Sequence, residues 1–331
     1  MFLKTAVKNY IIKQYQKENY DAWNAFISNA KNATFLFHRD YMEYHADRFE
    51  DCSLLVFEKD KLVAVLPANK VGTTVFSHQG LTYGGLVLLP KSKLYTTIFA
   101  FKAILSYLNE NKIDHLYLKQ IPSIYCDFPS EEINYLMFIC NGTVKMRHNV
   151  STISLKTKID ISRIRKRGIE KGIKNDLKIK QETDLTSFWN TLLIPNLAEK
   201  YNAKPVHTID EIHYLIDKFP NNIHHYNVYY NNAIVAGITL FVNKIAVKSQ
   251  YISGCEWDDK LGSLDFLTDF VIKKYASSKS YLDFGPSHEN NGLNIVENLN
   301  YFKESFGAHS IVQDFYEVAT ASHPLLDTIL I

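Results

Sequence analysis

The sequence predicts an α/β chain of two similar units, each a mixed, mainly antiparallel sheet flanked by helices. Three observations carry this. The chain has 331 residues, enough for two cores at roughly 150 residues per domain. A β-hairpin pattern in the first half returns in the second half. Each copy is then followed by a short strand, an amphipathic helix and a strand ending in Pro-Ser.

The first hairpin is Leu54 to Ala68, LLVFEKDKLVAVLPA, whose polar turn Glu58-Lys59-Asp60 separates two β-rich runs. The second is Tyr226 to Phe241, YNVYYNNAIVAGITLF, built around Asn231-Asn232. Setting Leu62-Val63-Ala64 on Ile234-Val235-Ala236 gives an offset of 172 residues (234 − 62). After the first hairpin, Leu94, Ile98, Phe101, Leu105 and Leu108 share one helical face; after the second, Leu264, Leu267, Val271, Ile272 and Tyr275 do so. The closing strands are Ile113 to Ser123 and Ser280 to Ser287. Strand, strand, strand, helix, strand is an antiparallel meander joined to a further strand by a helical crossover, which makes a mixed sheet. Between the copies lies Asp160 to Lys180, a basic stretch with Ile161, Ile164, Arg165 and Ile169 at helical spacing, then a helical run from Leu185 to Tyr201. The expected boundary is near Val150, giving units 1–150 and 151–331.

Composition narrows the partners. With 37 basic and 35 acidic residues the net charge is +2, so no global field draws the chain to nucleic acid or an anionic membrane, and neither is expected as a partner. Cys52, Cys126, Cys140 and Cys255 are far apart and form no metal-ligand spacing, so no metal is expected. The lysine-dotted start is no signal peptide and no run approaches ~18 apolar residues, which predicts a cytoplasmic protein. The 21 Tyr and 20 Phe mostly fill cores, and they also suit a site that stacks sugars and bases. Oligomeric state is left open, a monomer included.

No dinucleotide fingerprint, Walker loop, zincin helix or nucleophile elbow occurs. Adjacent His224 and His225 point to opposite faces of an extended chain, a poor metal pair. Three features bear on chemistry. Asp259-Lys260-Leu261-Gly262-Ser263 opens the helix of the second copy, where free N–H groups favour phosphate, or where Ser263 simply caps. Ser77 to Gly85, SHQGLTYGG, sets His78 and Tyr83 among small residues, as a ligand loop or as a turn with a buried tyrosine. Asp283 to Ala308 leaves a strand through Gly285-Pro286 and gathers His288, Glu289, Asn290 and Asn291 before a helix stopped by Gly307.

These residues, with Trp23, Thr34 to Arg39, Tyr41, Pro205 to Thr208, Phe219 to Ile223 and the Lys303-Glu304-Ser305-Phe306-Gly307 block, resemble the FemABX-like branch of the GNAT acyltransferases over nearly the whole chain. The resemblance implies two tandem GNAT folds and an N-acyltransferase. The acyl donor would be acyl-coenzyme A, with an acetyl or short hydroxyacyl group such as 3-hydroxybutanoyl. The acceptor would be a dTDP- or UDP-linked amino sugar for surface polysaccharide. The family's coenzyme A signature is reduced here to Trp257 to Ser263 with one glycine, while the first copy has Pro90 at the equivalent place. The donor site is therefore expected on the second copy, at Tyr251, Ile252, Ser253 and Gly254 and at Lys260, Leu261, Gly262 and Ser263.

The expected chemistry is direct attack of the amine on the thioester, with Glu289, Asp283 or His207 as candidate base. His38, Arg39, His78, Gln79, Tyr83, His288, Asn291 and Lys303 are the expected acceptor contacts, Arg39 being suited to phosphate. Two alternatives stand beside this. One is the Fem-type ligase that moves an amino acid from aminoacyl-tRNA onto a cell-wall precursor; the other is a non-catalytic binding protein for a nucleotide sugar.

Overall fold

The structure is a computed structural model that describes residues 10–330, so residues 1–9 and 331 lie outside it. Two compact units divide the chain. One takes the chain up to His148 and again from Val312; the other is Asn149–Ile311. The C-terminal segment from Val312 thus belongs with the first unit, not with the second as expected, because its strand pairs there from Phe315↔Lys119 to Ala319↔His115.

In the first unit the elements are β1 (Tyr10–Gln14), α1 (Tyr20–Asn29), α2 (Arg39–Glu43), β2 (Glu50–Asp51), β3 (Leu54–Glu58), β4 (Lys61–Leu66), β5 (Asn69–Val71), β6 (Thr74–Phe76), β7 (Val87–Leu88), α3 (Leu94–Glu110), β8 (His115–Lys119) and α4 (Glu132–Ile139). Strands β1, β3, β4 and β7 form an antiparallel ladder, while β2, β5, β6 and β8 form another in which only β6 and β8 run parallel. Ile98, Phe101, Leu105 and Leu108 of α3 are buried against both, as the spacing predicts; Leu94 is exposed.

Strand β9 (Thr143–Ser154) leads into the second unit. There follow α5 (Arg163–Lys174), β10 (Lys178–Glu182), α6 (Thr186–Phe188), a π-helical turn Trp189–Leu193, α7 (Ile194–Tyr201), α8 (Ile209–Lys218), β11 (Ile223–Tyr230), β12 (Ala233–Val242), β13 (Ala246–Gly254), α9 (Asp258–Leu261), α10 (Ser263–Tyr275), β14 (Tyr281–Pro286), β15 (His288–Glu289), β16 (Asn294–Ile295), α11 (Glu297–Ser305) and β17 (His309–Ala319). The main sheet runs β10-β11-β12-β13-β14-β9, with β13 and β14 parallel. Helix α10 buries Leu267, Val271, Ile272 and Tyr275 in the core. Helix α5 lies close to α10 because Gly168 and Gly172 leave no side chain between them; a Cβ on Gly172 would sit 2.6 Å from Phe266.

The two hairpins are the same object. Val56 faces Ala64 and, after a bulge, Phe57 faces Leu62; Val228 faces Ala236 and, after a bulge, Tyr229 faces Ile234. Every one of these positions is matched at the 172-residue offset read from the sequence. The third strand also docks alike, Ala64 facing Leu88 and Ala236 facing Gly254.

The copies differ beside the strand after the helix. In the first unit β8 pairs with β6, in a different sheet from the third strand β7, and the chain between β6 and β7 is stitched to β8. Ser77 N donates to Tyr117 O at 2.9 Å, Lys119 N to Ser77 Oγ at 2.8 Å, and Gly84 N to Lys119 O at 2.6 Å. Gly84 is required there, since a Cβ would fall 1.6 Å from the Ser77 carbonyl oxygen. In the second unit the β13–β14 pairing stops after Ala246↔Tyr281, Val247↔Leu282 and Lys248↔Asp283, and a bulge at Gln250 carries β13 away. We expect Gly84→Ala to lower stability by about 2 kcal/mol or more in urea denaturation, through overpacking against backbone; an unchanged midpoint would contradict the stitched junction.

Candidate active site

The parting strands leave a charged cluster at their fork. Lys248 and Asp283 face each other at the last register position, Nζ to Oδ2 3.5 Å, and both are buried. Asp283 Oδ1 accepts the Gly285 N–H at 2.6 Å, which holds the turn at Gly285, φ +72°. From α11, Lys303 reaches the same end of β14 and donates from Nζ to Gly285 O (2.9 Å) and Pro286 O (2.8 Å). Burial, with the neighbouring Lys248 charge, draws the Lys303 amine down to about 7. Thr152, opposite Asp283 on β9, Gln250 at the bulge and Ser287 after Pro286 each bury a side-chain oxygen that has no hydrogen-bond partner. Two cations against one carboxylate, beside three unsatisfied polar oxygens, make a seat for a polar ligand group.

Next to the fork is a cavity of about 380 Å³, with Leu193, Leu197, Ile252, Leu264, Leu299 and Phe302 as its apolar lining. Asn196 Nδ2 donates to Ser253 Oγ (2.6 Å) and Gly254 O (2.8 Å) on its wall. Its rim carries Glu256, Asp258 and Asp259 against one cation, Lys200. Tyr251, Ile252, Ser253 and Gly254 therefore do line or adjoin a cavity at the free edge of β13.

The phosphate cradle expected at α10 does not fit coenzyme A. Asp258 Oδ1 already accepts the Leu264 N–H at 2.8 Å and the Ser263 hydroxyl, so a carboxylate of the chain occupies the helix N-terminus. Gly262, φ +70°, faces α5 rather than a ligand, and a Cβ there would lie 2.1 Å from Gly168 O. The backbone of Lys260 and Leu261 is tied to the same helix, their carbonyls accepting from Asn175 Nδ2 at 3.3 and 3.2 Å. Three carboxylates at the mouth would repel three phosphate groups in addition.

Other expected residues are spent elsewhere. Arg39 is buried in an ion pair with Glu43 (3.0 Å) and Asp51 (2.5 Å), its guanidinium 3.7 Å from the Tyr15 ring centroid, so it holds the first unit together and is not open to phosphate. His38 caps α2, its Nδ1 accepting Asp40 N at 3.3 Å. Tyr83 is a core tyrosine donating to Thr34 Oγ1 at 3.1 Å. His78 is buried against His45 and Phe49 with φ +92°, and burial draws it down to about 3, so it stays neutral. Gln79 Oε1 is taken by Asn69 Nδ2 at 2.8 Å. His207 Nδ1 is 2.5 Å from the buried Tyr251 hydroxyl. Glu289 and Asn291 stand exposed around the β15–β16 hairpin, while the His288 pKa is lowered chiefly by burial and, in smaller part, by the charge of nearby Lys303. His224 and His225 are hydrogen-bonded, to Tyr275 and to Thr239 and Asn227. Asp283, His288 and Lys303 are thus brought together; Glu289 and His207 are not part of the cluster.

Lys248 was missed by sequence reasoning. Its signal was a charged lysine inside the strand run AVKSQYISG, which holds no other charged residue. Since Gly262 serves helix packing, Gly262→Val should destabilise the fold by about 2 kcal/mol or more, read by urea denaturation, rather than weaken one ligand selectively. Normal stability with a selective loss of coenzyme A binding would restore the cradle.

No protein-family model matches the chain, and no curated protein does. Solved structures do. A structure of FemX superposes with a TM-score of 0.66 at 11% identity, covering 96% of this chain and 99% of that one. The L-PGS structure from Bacillus licheniformis gives 0.58 at 11% identity, over 95% and 94%. A tandem GNAT protein from the clavulanic acid biosynthesis pathway gives 0.51 at 8% identity, over 94% and 99%. At such identities the likeness is one of fold, and it agrees with the internal repeat: the chain has a tandem GNAT-like fold, two mixed α/β units in one polypeptide.

Proposed function

We propose that the chain is an N-acyltransferase that moves an aminoacyl group from an ester donor onto the amine of a nucleotide-linked amino sugar, with bond formation at the β13–β14 fork. The observation that carries this is Lys303. Its ammonium is desolvated, fixed by two carbonyl oxygens, and has one N–H left for a third partner. That is the arrangement needed where negative charge develops on a carbonyl oxygen.

The step balances simply. The amine nitrogen attacks the ester carbonyl carbon, the carbonyl π pair moves onto oxygen, and the C–N bond forms. Collapse of that oxyanion breaks the C–O ester bond, and the proton lost by the amine ends on the leaving oxygen. Lys303, with Lys248 beside it, offsets the oxyanion charge; Asp283 keeps the two lysines from excluding each other. The adjoining cavity takes the acyl side: its carboxylate rim suits a group bearing an ammonium and disfavours a polyphosphate carrier.

This favours the ester donor over acyl-coenzyme A. The objection from net charge also weakens, because α5 exposes Arg163, Lys166, Arg167, Lys171 and Lys174 on one helix, a local basic face that needs no global excess. L-PGS and FemX share the fold, and a structure named for a putative lysylphosphatidylglycerol synthetase does so with a TM-score of 0.58. The amino-sugar acceptor rests on the sequence resemblance.

Single-turnover transfer to an amine acceptor tests the assignment. Lys303→Met should lower the rate roughly 10²-fold or more. The charge on Lys303 is full below pH ~7 and is lost as pH rises through about 7, so the wild-type rate should fall on that alkaline limb. Lys303→Arg, charged throughout, should move the limb upward while keeping part of the rate. A Lys303→Met protein with near-normal rate and an unshifted limb would sink the mechanism.

A further inference from the structure

The charges gathered at the β13–β14 fork do not cancel. Lys248 and Lys303 bring two ammonium groups and Asp283 one carboxylate, and these side chains are only 8%, 5% and 3% exposed. Both amines crowd Gly285: Lys303 Nζ donates to its carbonyl oxygen at 2.9 Å, and a Cβ on that glycine would lie 3.2 Å from Lys248 Nζ. Asp283 is shared between the Gly285 N–H, on Oδ1, and Lys248, beside Oδ2. His288 on β15 also lies near Lys303; burial chiefly holds its pKa below the usual range, so it adds no charge at neutral pH.

A net charge of +1 removed from water is costly, and it can be relieved in two ways. Lys303 can lose its proton, the direction in which burial draws it, or an anion can enter. Donors for an anion are present. Thr152 and Ser287 are 5% and 3% exposed, and their hydroxyls have no hydrogen-bond partner among the described residues. Thr152 stands opposite Asp283 in the β14–β9 register, and Ser287 follows the Pro286 carbonyl that Lys303 holds. Two ammonium groups and two hydroxyls around a charge of +1 suit a monoanion with two acceptor oxygens. A phosphate dianion would leave a net negative charge beside Asp283, an ammonium would add to the excess, and a neutral group would leave it standing.

We propose that the fork is a binding site for a small carboxylate, held by Lys248 and Lys303 and by the hydroxyls of Thr152 and Ser287. Its consequence for catalysis rests on the transfer reading above. The free acid of the acyl donor carries a carboxylate on the carbon that forms the ester, so it takes the fork in competition with the donor. Free acid thus restrains transfer by mass action. The restraint is full below pH ~7, where Lys303 is charged, and is lost as pH rises through about 7.

The test is calorimetric titration of sodium formate into the full chain, with sodium sulfate at equal ionic strength as the control. Formate should bind wild type at pH 6 and sulfate should bind more weakly. Between pH 8 and pH 9 the apparent affinity for formate should fall about tenfold, because one proton must be taken up. Lys303→Met should weaken formate about tenfold or more, whereas Lys303→Arg should bind it without that pH dependence. Thr152→Val, which keeps the shape and removes the hydroxyl, should weaken it about fivefold. Each variant is checked by thermal melting, and Lys303→Arg guards against a folding defect in Lys303→Met. Three results would overturn the inference: no formate binding to wild type at pH 6, equal binding by Lys303→Met, or sulfate binding as tightly as formate. Aminoacyl transfer to hydroxylamine is measured in parallel, where formate should raise the apparent KM for the ester donor and leave kcat unchanged. A fall in kcat at unchanged KM would overturn the competition. Transfer without formate binding defeats this inference alone; formate binding without transfer defeats the enzymatic reading alone.

Discussion

The second unit depends on how little β-ladder joins β13 to β14. Three register positions hold the strands together, and the last is the buried pair of Lys248 and Asp283. Beyond it the bulge at Gln250 turns β13 outward, so two strands that share a sheet at one end are separate at the other. A fully zipped pair would satisfy its own backbone and leave nothing for chemistry. A pair joined any less would not bury the ions that define the fork. The ion pair is expensive to bury, and it persists because Asp283 is also tied to Gly285 N–H and lies near a second lysine.

The junction beside β8 in the first unit shows the alternative outcome. Ser77, Lys119 and Gly84 close it with three hydrogen bonds, and a single missing Cβ at Gly84 makes the closure possible. A cavity of this unit lies over that junction, with Ser77 and Lys119 in its lining beside the aromatic face of β6, β8 and the C-terminal strand. The two copies thus share the hairpin but part beyond it: β7 and β8 lie in separate sheets with β6 beside β8, whereas β13 pairs directly with β14. Helix α10 has undergone a comparable substitution of roles: its N-terminal N–H group is satisfied by Asp258, and its glycine serves contact with α5.

Much of the architecture was legible in the sequence because alternation and helical spacing are local properties. Leu267, Val271, Ile272 and Tyr275 fall on one face of any helix they form, and the hairpin registers follow from turn residues such as Asn231 and Asn232, which accept positive φ. The candidate site was less legible. Arg39 reads as a phosphate ligand until Glu43, Asp51 and Tyr15 are seen around it, and Gly262 reads as a ligand glycine until Gly168 is found against it. The partner of Gly262 lies on α5, an element that sequence spacing does not connect to it.

The sequence by itself determined the two-unit α/β plan and the 172-residue repeat, and it marked Asp283 to Ala308 as one block of candidate site residues. Only the tertiary structure decided which charges meet. Lys248 joins Asp283 across a parallel pairing, and the order of residues along the chain carries no trace of that register. It also decided that Lys119 has no ion pair among the described residues, that Glu289 stands apart, and that the segment from Val312 returns to the first unit. The physical reason is range: periodicity records the few residues a side chain can reach along its own element, whereas an ion pair or a missing counter-ion is settled by whatever distant segment packs beside it.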